Sequence, residues 1–140
     1  MTTVNDMVRR LDRLKIYSEA KQAVIKTAGD YVELNQEQWK YGQAADGGRI
    51  GRYRSKAYAE FKSSQNSLPG KWNVDLILTG QTVESMTLDL NADVLQVEIN
   101  DTHNLLEKYG DRILGLNEKS RSHYVEVLRP VFIEQIDAKL

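Results

Sequence analysis

The chain has 140 residues, 41% hydrophobic and 28% charged, with a net charge of −1 and no cysteine. That length predicts one domain, residues 1–140, able to bury about two-thirds of the surface its unfolded form exposes. The near-neutral total by itself points to neither a nucleic-acid nor a membrane partner, and the lack of cysteine excludes disulfides, thiol nucleophiles and cysteine-ligated zinc.

The first stretch, MTTVNDMVRRLDRL, has no apolar core of a secretory signal. No apolar run approaches the ~20 residues needed to span a bilayer. A reducing cytoplasm is the expected setting, with no membrane partner. Residues 3–39 read as a long helix. Thr3 with Asp6 has the form of a capping box, and Val4, Met7, Val8, Leu11 and Leu14 follow helical spacing. A second phase starts after Ser18 with Ala20, Val24, Ala28, Tyr31 and Val32, so the helix is expected to kink near Lys15–Ser18 or to divide in two. It should end near Trp39 or Tyr41, before Gly42.

Residues 42–73 carry Gly42, Gly47, Gly48, Gly51, Pro69 and Gly70 and predict a long irregular loop. A short helix is expected inside it at Ser55–Ser63, with Ser55 as the N-cap. Loops this long in a compact domain are usually functional or disordered. Then come three alternating runs: Val74, Leu76 and Leu78; Met86, Leu88 and Leu90; Leu95, Val97 and Ile99. Period two predicts a small antiparallel sheet of three to four strands with one buried face. Thr79-Gly80 marks a turn or bulge, and Asn91-Ala92-Asp93 a hairpin connection. A short helix over 102–110 should stop at Gly110. Asn117 should cap a final helix with Tyr124, Val127, Leu128, Val131, Ile133 and Ile136 mainly on one side, kinked or split by Pro130. The expected class is therefore α+β: a long N-terminal helix or pair, a small antiparallel sheet and a kinked C-terminal helix.

Catalytic signatures are scarce. His103 and His123 have no partner at metal-ligand spacing and read as surface or capping residues. GQAADGGRIG neither follows a strand nor ends in Gly-Lys-Ser/Thr, so it is a poor phosphate loop. Asp89, Asp93 and Asp101 lie near strand ends, where metal-dependent nucleases place ligands; the preferred reading is solvent-facing strand positions, since alternation with core positions already accounts for them. The strongest signal is charge. Between Lys40 and Lys71, seven basic residues (Lys40, Arg49, Arg52, Arg54, Lys56, Lys62, Lys71) face only Asp46 and Glu60, which gives +5 and leaves −6 for the rest. Tyr41, Tyr53, Tyr58 and Phe61 are interleaved. Such a segment suits three roles: an arm that docks on an acidic neighbour, a contact with phosphates and bases, or an inert solvated loop.

The order of parts resembles the phage virion-morphogenesis and tail-completion family, its Mu-like group in particular. The resemblance rests on Asp46-Gly47, on Arg49 to Arg54, on Ile77-Leu78-Thr79-Gly80, on Tyr109-Gly110 and on Arg112-Ile113-Leu114-Gly115-Leu116, and it runs over residues 5–138. Two departures stand out. Gly110-Asp111-Arg112 replaces the family's proline-x-arginine, and the basic loop is longer than the family pattern. The resemblance implies a structural head–tail connector, neck or tail-completion subunit of the virion, made in the host cytoplasm. It implies a six- or twelve-fold ring of copies that meets portal, neck or tail proteins and is open to contact with packaged DNA. No enzymatic activity, cofactor, metal or catalytic residue is implied. The residues expected to carry assembly are Arg49, Arg52, Tyr53, Arg54, Tyr58, Tyr109 and Arg112. A nucleic-acid-binding accessory protein using residues 40–71 is the alternative.

Overall fold

The computed structural model describes residues 3–13, 16–77, 81–91 and 94–139. The N-terminal region forms three helices where one or two were expected: α1 (Val4–Arg13), α2 (Ile16–Lys26) and α3 (Ala28–Lys40). The first break lies outside the described residues. The second falls at Thr27, whose hydroxyl bonds Ala23 O at 2.9 Å and Tyr124 Oη at 2.8 Å. A β-branched residue whose hydroxyl is committed to the turn below and to another helix leaves the regular path. The Thr3–Asp6 capping box is present: Asp6 accepts from Thr3 N at 3.0 Å, and Thr3 Oγ1 accepts from Asp6 N at 3.1 Å.

α3 ends as its sequence predicts. Gly42 takes φ +71°, Gly42 N donates to Trp39 O at 3.1 Å, and Gln43 N donates to Gln38 O at 2.8 Å. This is the Schellman arrangement that satisfies the last carbonyls of a helix. A Cβ at Gly42 would stand 2.7 Å from Val74 O and 2.8 Å from Pro69 Cβ, so only glycine fits.

The sheet is smaller than expected. Among the described residues it has two antiparallel strands, β1 (Thr87–Asn91) and β2 (Val94–Glu98). The register pairs Leu88 with Val97 and Leu90 with Leu95 on one apolar face, but that face is buried only in part: Val97 is buried, Leu88 and Leu90 are half-buried and Leu95 is exposed. Part of the hairpin connection (Ala92-Asp93) and the expected turn at Thr79-Gly80 lie outside the described residues. Residues 74–77 belong to no sheet, although they alternate. Val74, Asp75 and Leu76 are all buried, because this segment runs through the core and not along one face of a sheet.

The core gathers Trp39, Ile50, Val74, Leu76, Met86, Val97, Leu105 and Ile113. Trp39 is fully buried, and its indole Nε1 donates to Ile113 O at 2.7 Å. Truncating such a side chain costs about 3–5 kcal/mol. Beside it, two polar residues of α3 pair with backbone as a strand would. Asn35 Oδ1 accepts from Gly115 N at 2.8 Å, Gln38 Nε2 donates to Gly115 O at 2.8 Å, and Gln38 Oε1 accepts from Asn117 N at 2.9 Å. The irregular stretch 113–117 is thereby satisfied without a sheet.

The remaining helices are α4 (Lys56–Gln65), α5 (Gln81–Glu84), α6 (Leu105–Tyr109) and α7 (Glu118–Asp137). Ser55 caps α4 by accepting from Tyr58 N at 3.3 Å, and Asn117 caps α7 by accepting from Ser120 N at 3.0 Å, both as predicted. α6 stops at Gly110, φ +82°, and a single 3-10 turn follows at Asp111–Ile113. α7 runs through Pro130 without dividing. It packs on α3 and, more extensively, on α2. Tyr124 meets Tyr31 edge-on at 5.1 Å, and Gln135 Nε2 donates to Glu19 Oε2 at 2.7 Å. Ile133, expected on the packed side, is 51% exposed. No helix among the described residues is long and apolar enough to cross a membrane.

Candidate functional site

Segment 42–50 makes a tight loop closed by a single bridge between Gln43 and Arg49. Ala44 N donates to Gly48 O at 2.8 Å, and Asp46 Oδ1 accepts from Gly48 N at 2.9 Å. Arg112 holds this loop from across the sequence. Its Nε and Nη2 donate to the two Asp46 oxygens at 2.9 and 3.0 Å, a bidentate pair. Its Nη2 and Nη1 also donate to Arg49 O at 2.9 Å and Ile50 O at 3.2 Å. The Arg112 carbonyl accepts from Ala45 N at 2.7 Å. Bonding to Arg112 and to Gly48 N holds the Asp46 carboxyl below its ordinary pKa, and the Asp46 partner pushes Arg112 up.

The chain then turns along the core. Val74 N donates to Gly51 O at 2.9 Å, Tyr53 N donates to Trp72 O at 2.8 Å, and Arg52 bridges Asn73. These bonds carry 51–54 past the start of α4 and set Tyr53 edge-on to Tyr58 at 5.1 Å. From the other side, the Tyr109 ring on α6 lies against Gly51, where a Cβ would sit 3.4 Å from Cε1. The result is a cleft of about 790 Å³. Its sides carry Arg52, Arg54, Lys108 and His103 with Tyr53, Tyr58 and Tyr109, and its floor carries Asp75, Leu76 and Leu105.

The floor carboxylate is already neutralised. Asp75 Oδ1 lies 2.6 Å from Lys62 Nζ, with the two side chains 1% and 6% exposed. Asp75 also accepts from Asn66 Nδ2 at 3.0 Å and Ile77 N at 3.1 Å, and Lys62 donates to Ile77 O at 2.6 Å. A buried pair with its remaining bonds satisfied is costly to break. Burial, with the Asp75 charge nearby, pushes the Tyr53 hydroxyl far up, so it stays a neutral phenol. Among the described residues, Arg52, Arg54 and Lys108 have no carboxylate at ion-pair distance. Three cations and three phenol rings above a neutralised floor suit an extended anionic ligand: carboxylates of an acidic segment, or phosphates.

Five of the seven expected residues meet in this cleft: Arg52, Tyr53, Arg54, Tyr58 and Tyr109. Arg49 and Arg112 lie outside it. Arg49 is exposed and contributes a carbonyl to the loop clamp, and Arg112 is committed to that clamp. His103, read as a surface residue, is exposed at the cleft. Lys108 was not singled out, although it adjoins Tyr109 and lies 5.4 Å from its ring centre. The Lys62–Asp75 pair was also missed; its one sequence signal is a carboxylate between Val74 and Leu76 in an apolar run. Asp101 has a structural duty, accepting from Leu105 N at 2.6 Å and Leu106 N at 3.0 Å at the start of α6. Asp89 is exposed on β1, and Asp93 lies outside the described residues. Among those described, no three acidic or histidine side chains gather as a metal site.

No family model, curated protein or solved structure matches the chain.

Proposed function

We propose that this chain is a structural subunit of a tailed-phage particle: a connector, neck or tail-completion protein that joins head to tail as a ring of copies. In this reading the tyrosine-lined cleft grips an acidic segment of the adjoining virion protein. The observation that carries the proposal is convergence. Besides Ile77 to Gly80 and Ile113 to Leu116, the family resemblance rests on Asp46-Gly47, Arg49 to Arg54, Tyr109-Gly110 and Arg112. These last are spread over as many as 66 residues of sequence, yet they meet at one corner as a loop clamp and a basic cleft. An interface anchored by arginine and tyrosine fits this chemistry. Deleting the gene in the phage or prophage that carries it, then imaging the lysate, tests the reading. Separate heads and tails, or heads that leak DNA, are expected; intact infectious particles overturn it.

A second reading has its own support in Arg52, Arg54 and Lys108, which have no carboxylate partner among the described residues, beside the edge-on pair of Tyr53 and Tyr58: the cleft holds a nucleic-acid strand. It requires affinity for DNA that falls steeply with salt and is lost in Arg52→Ala/Arg54→Ala. Absence of binding at low salt rules it out.

A further inference from the structure

α1 is a formed, capped helix with an unmatched face. Val4, Met7 and Val8 share one side and are 75%, 54% and 48% exposed. Among the described residues α1 has at most marginal contact with any other element. Arg9 and Arg10 are also exposed; Arg10 borders that stripe beside Met7, and Arg9 lies further round, beyond Val8. The alkyl stem of Arg10 extends the stripe while its charged head reaches outward.

A groove of about 450 Å³ beside α3 is complementary in both respects. Leu34, Val83 and Val127 give it an apolar lining, and Asp30, Glu33 and Glu37 supply carboxylates. Asp30, Glu33 and Glu37 stand at i, i+3 and i+7, so they form one row along α3. That row extends about 10 Å at 1.5 Å per residue, close to the span of α1 from Val4 to Arg10. Lys40 and His123 also line the groove, but the carboxylates outnumber its one lysine by three to one.

We propose that α1 of one copy docks in the α3 groove of the next, with Val4, Met7 and Val8 on the apolar lining and Arg10, beside Met7, against the acidic row. The inference rests on the ring-subunit reading and names the contact that would build the ring. Two different patches meet, so the contact is heterologous and propagates until it closes. It is separate from the cationic cleft, which stays open to the next virion protein.

The test is sedimentation of the full-length chain over a range of concentrations. The wild type should associate beyond a dimer. Met7→Glu/Val8→Glu and Glu33→Lys/Glu37→Lys should each weaken association by at least about tenfold, with unchanged circular dichroism. Should Met7→Glu/Val8→Glu lose helix, Arg10→Glu makes the same test. Mixing the α1 variant with the groove variant should restore a single contact and stop at a dimer. A wild type that stays monomeric, variants that keep the wild-type mass, or a mixture without dimer would each overturn the proposal. If the variants assemble normally while the gene deletion still separates heads from tails, the α1 contact fails and the ring reading stands.

Discussion

Residues 42–50 hold no helix and only a single bridge, yet the Arg112 side chain ties their carboxylate and two of their carbonyls to a remote part of the chain. α1 is regular throughout and well capped, yet Val4, Met7 and Val8 on it face solvent. Local regularity and tertiary fixation are thus independent quantities. A helix satisfies its own backbone and leaves its side chains uncommitted. An irregular loop must find partners elsewhere for every buried backbone group, and those partners then fix its position. The same contrast extends to the extended stretch 74–77, which the buried Lys62–Asp75 pair ties to α4.

The sharpest way to break this contrast is to remove Asp75. Asp75→Ala leaves the Lys62 ammonium buried without its counter-charge and should cost about 3–5 kcal/mol in chemical denaturation. Lys62→Met should cost less, because Asp75 keeps the donors of Asn66 and Ile77. Gly42→Ala comes next. It forces a Cβ against Val74 O at φ +71°, and should cost about 2–4 kcal/mol. Equal stability of Gly42→Ala and wild type would show that the loop is not held where the structure places it.

Arg112→Ala has a more local effect. It should lower the amide-exchange protection of Ala44, Ala45 and Gly48 by roughly tenfold and leave that of α3 unchanged. The clamp also has a pH signature. The folded-state pKa of Asp46 is depressed, so its contribution is fully present above the unfolded value near 3.8 and is lost as pH falls through the lower folded value. Protection of this loop should hold from neutral pH down to 3.8 and fail only as pH falls further, through the lower folded value. The smallest change is expected where composition looks most core-like. Met7→Ser/Val8→Ser should shift monomer stability by less than ~0.5 kcal/mol. A loss as large as that of Asp75→Ala would mean α1 packs on its own chain.

Several elements could be read directly from residues because their causes are local. Thr3 with Asp6, Ser55, Gly110 and Asn117 mark helix ends through short-range bonds, and the structure shows each one. The alternation in 86–99 fixed a face because a strand pair needs only period two. That residues 74–77 would form no third strand was not legible. Alternation in 74–77 is equally compatible with a buried extended run, and only the partners of Asp75 distinguish the two. The division at Thr27 depends on Tyr124, 97 residues away. Of the candidate site, the arginines and tyrosines stood out by composition. Their separation into a clamp (Arg112) and a cleft (Arg52, Arg54) depends on contacts between residues 46–50 and 112, which no local pattern encodes.

The bonds that join α3 and the 42–50 loop to residues 112–117 also set an order of events during synthesis. Arg112 reaches back 66 residues to Asp46, Trp39 forward 74 to Ile113, and Asn35 80 to Gly115. Until residues 112–117 leave the ribosome, the Trp39 indole has no acceptor there, and Asp46 has no guanidinium. The glycine-rich segment therefore emerges early and closes late, and the nascent chain carries an open, basic loop until residues 112–117 arrive. Closure entropy of this kind slows folding more than it weakens the finished structure. A ribosome-stalled chain ending near residue 105 should be cut by protease within 43–54, and one extended well past 117 should resist.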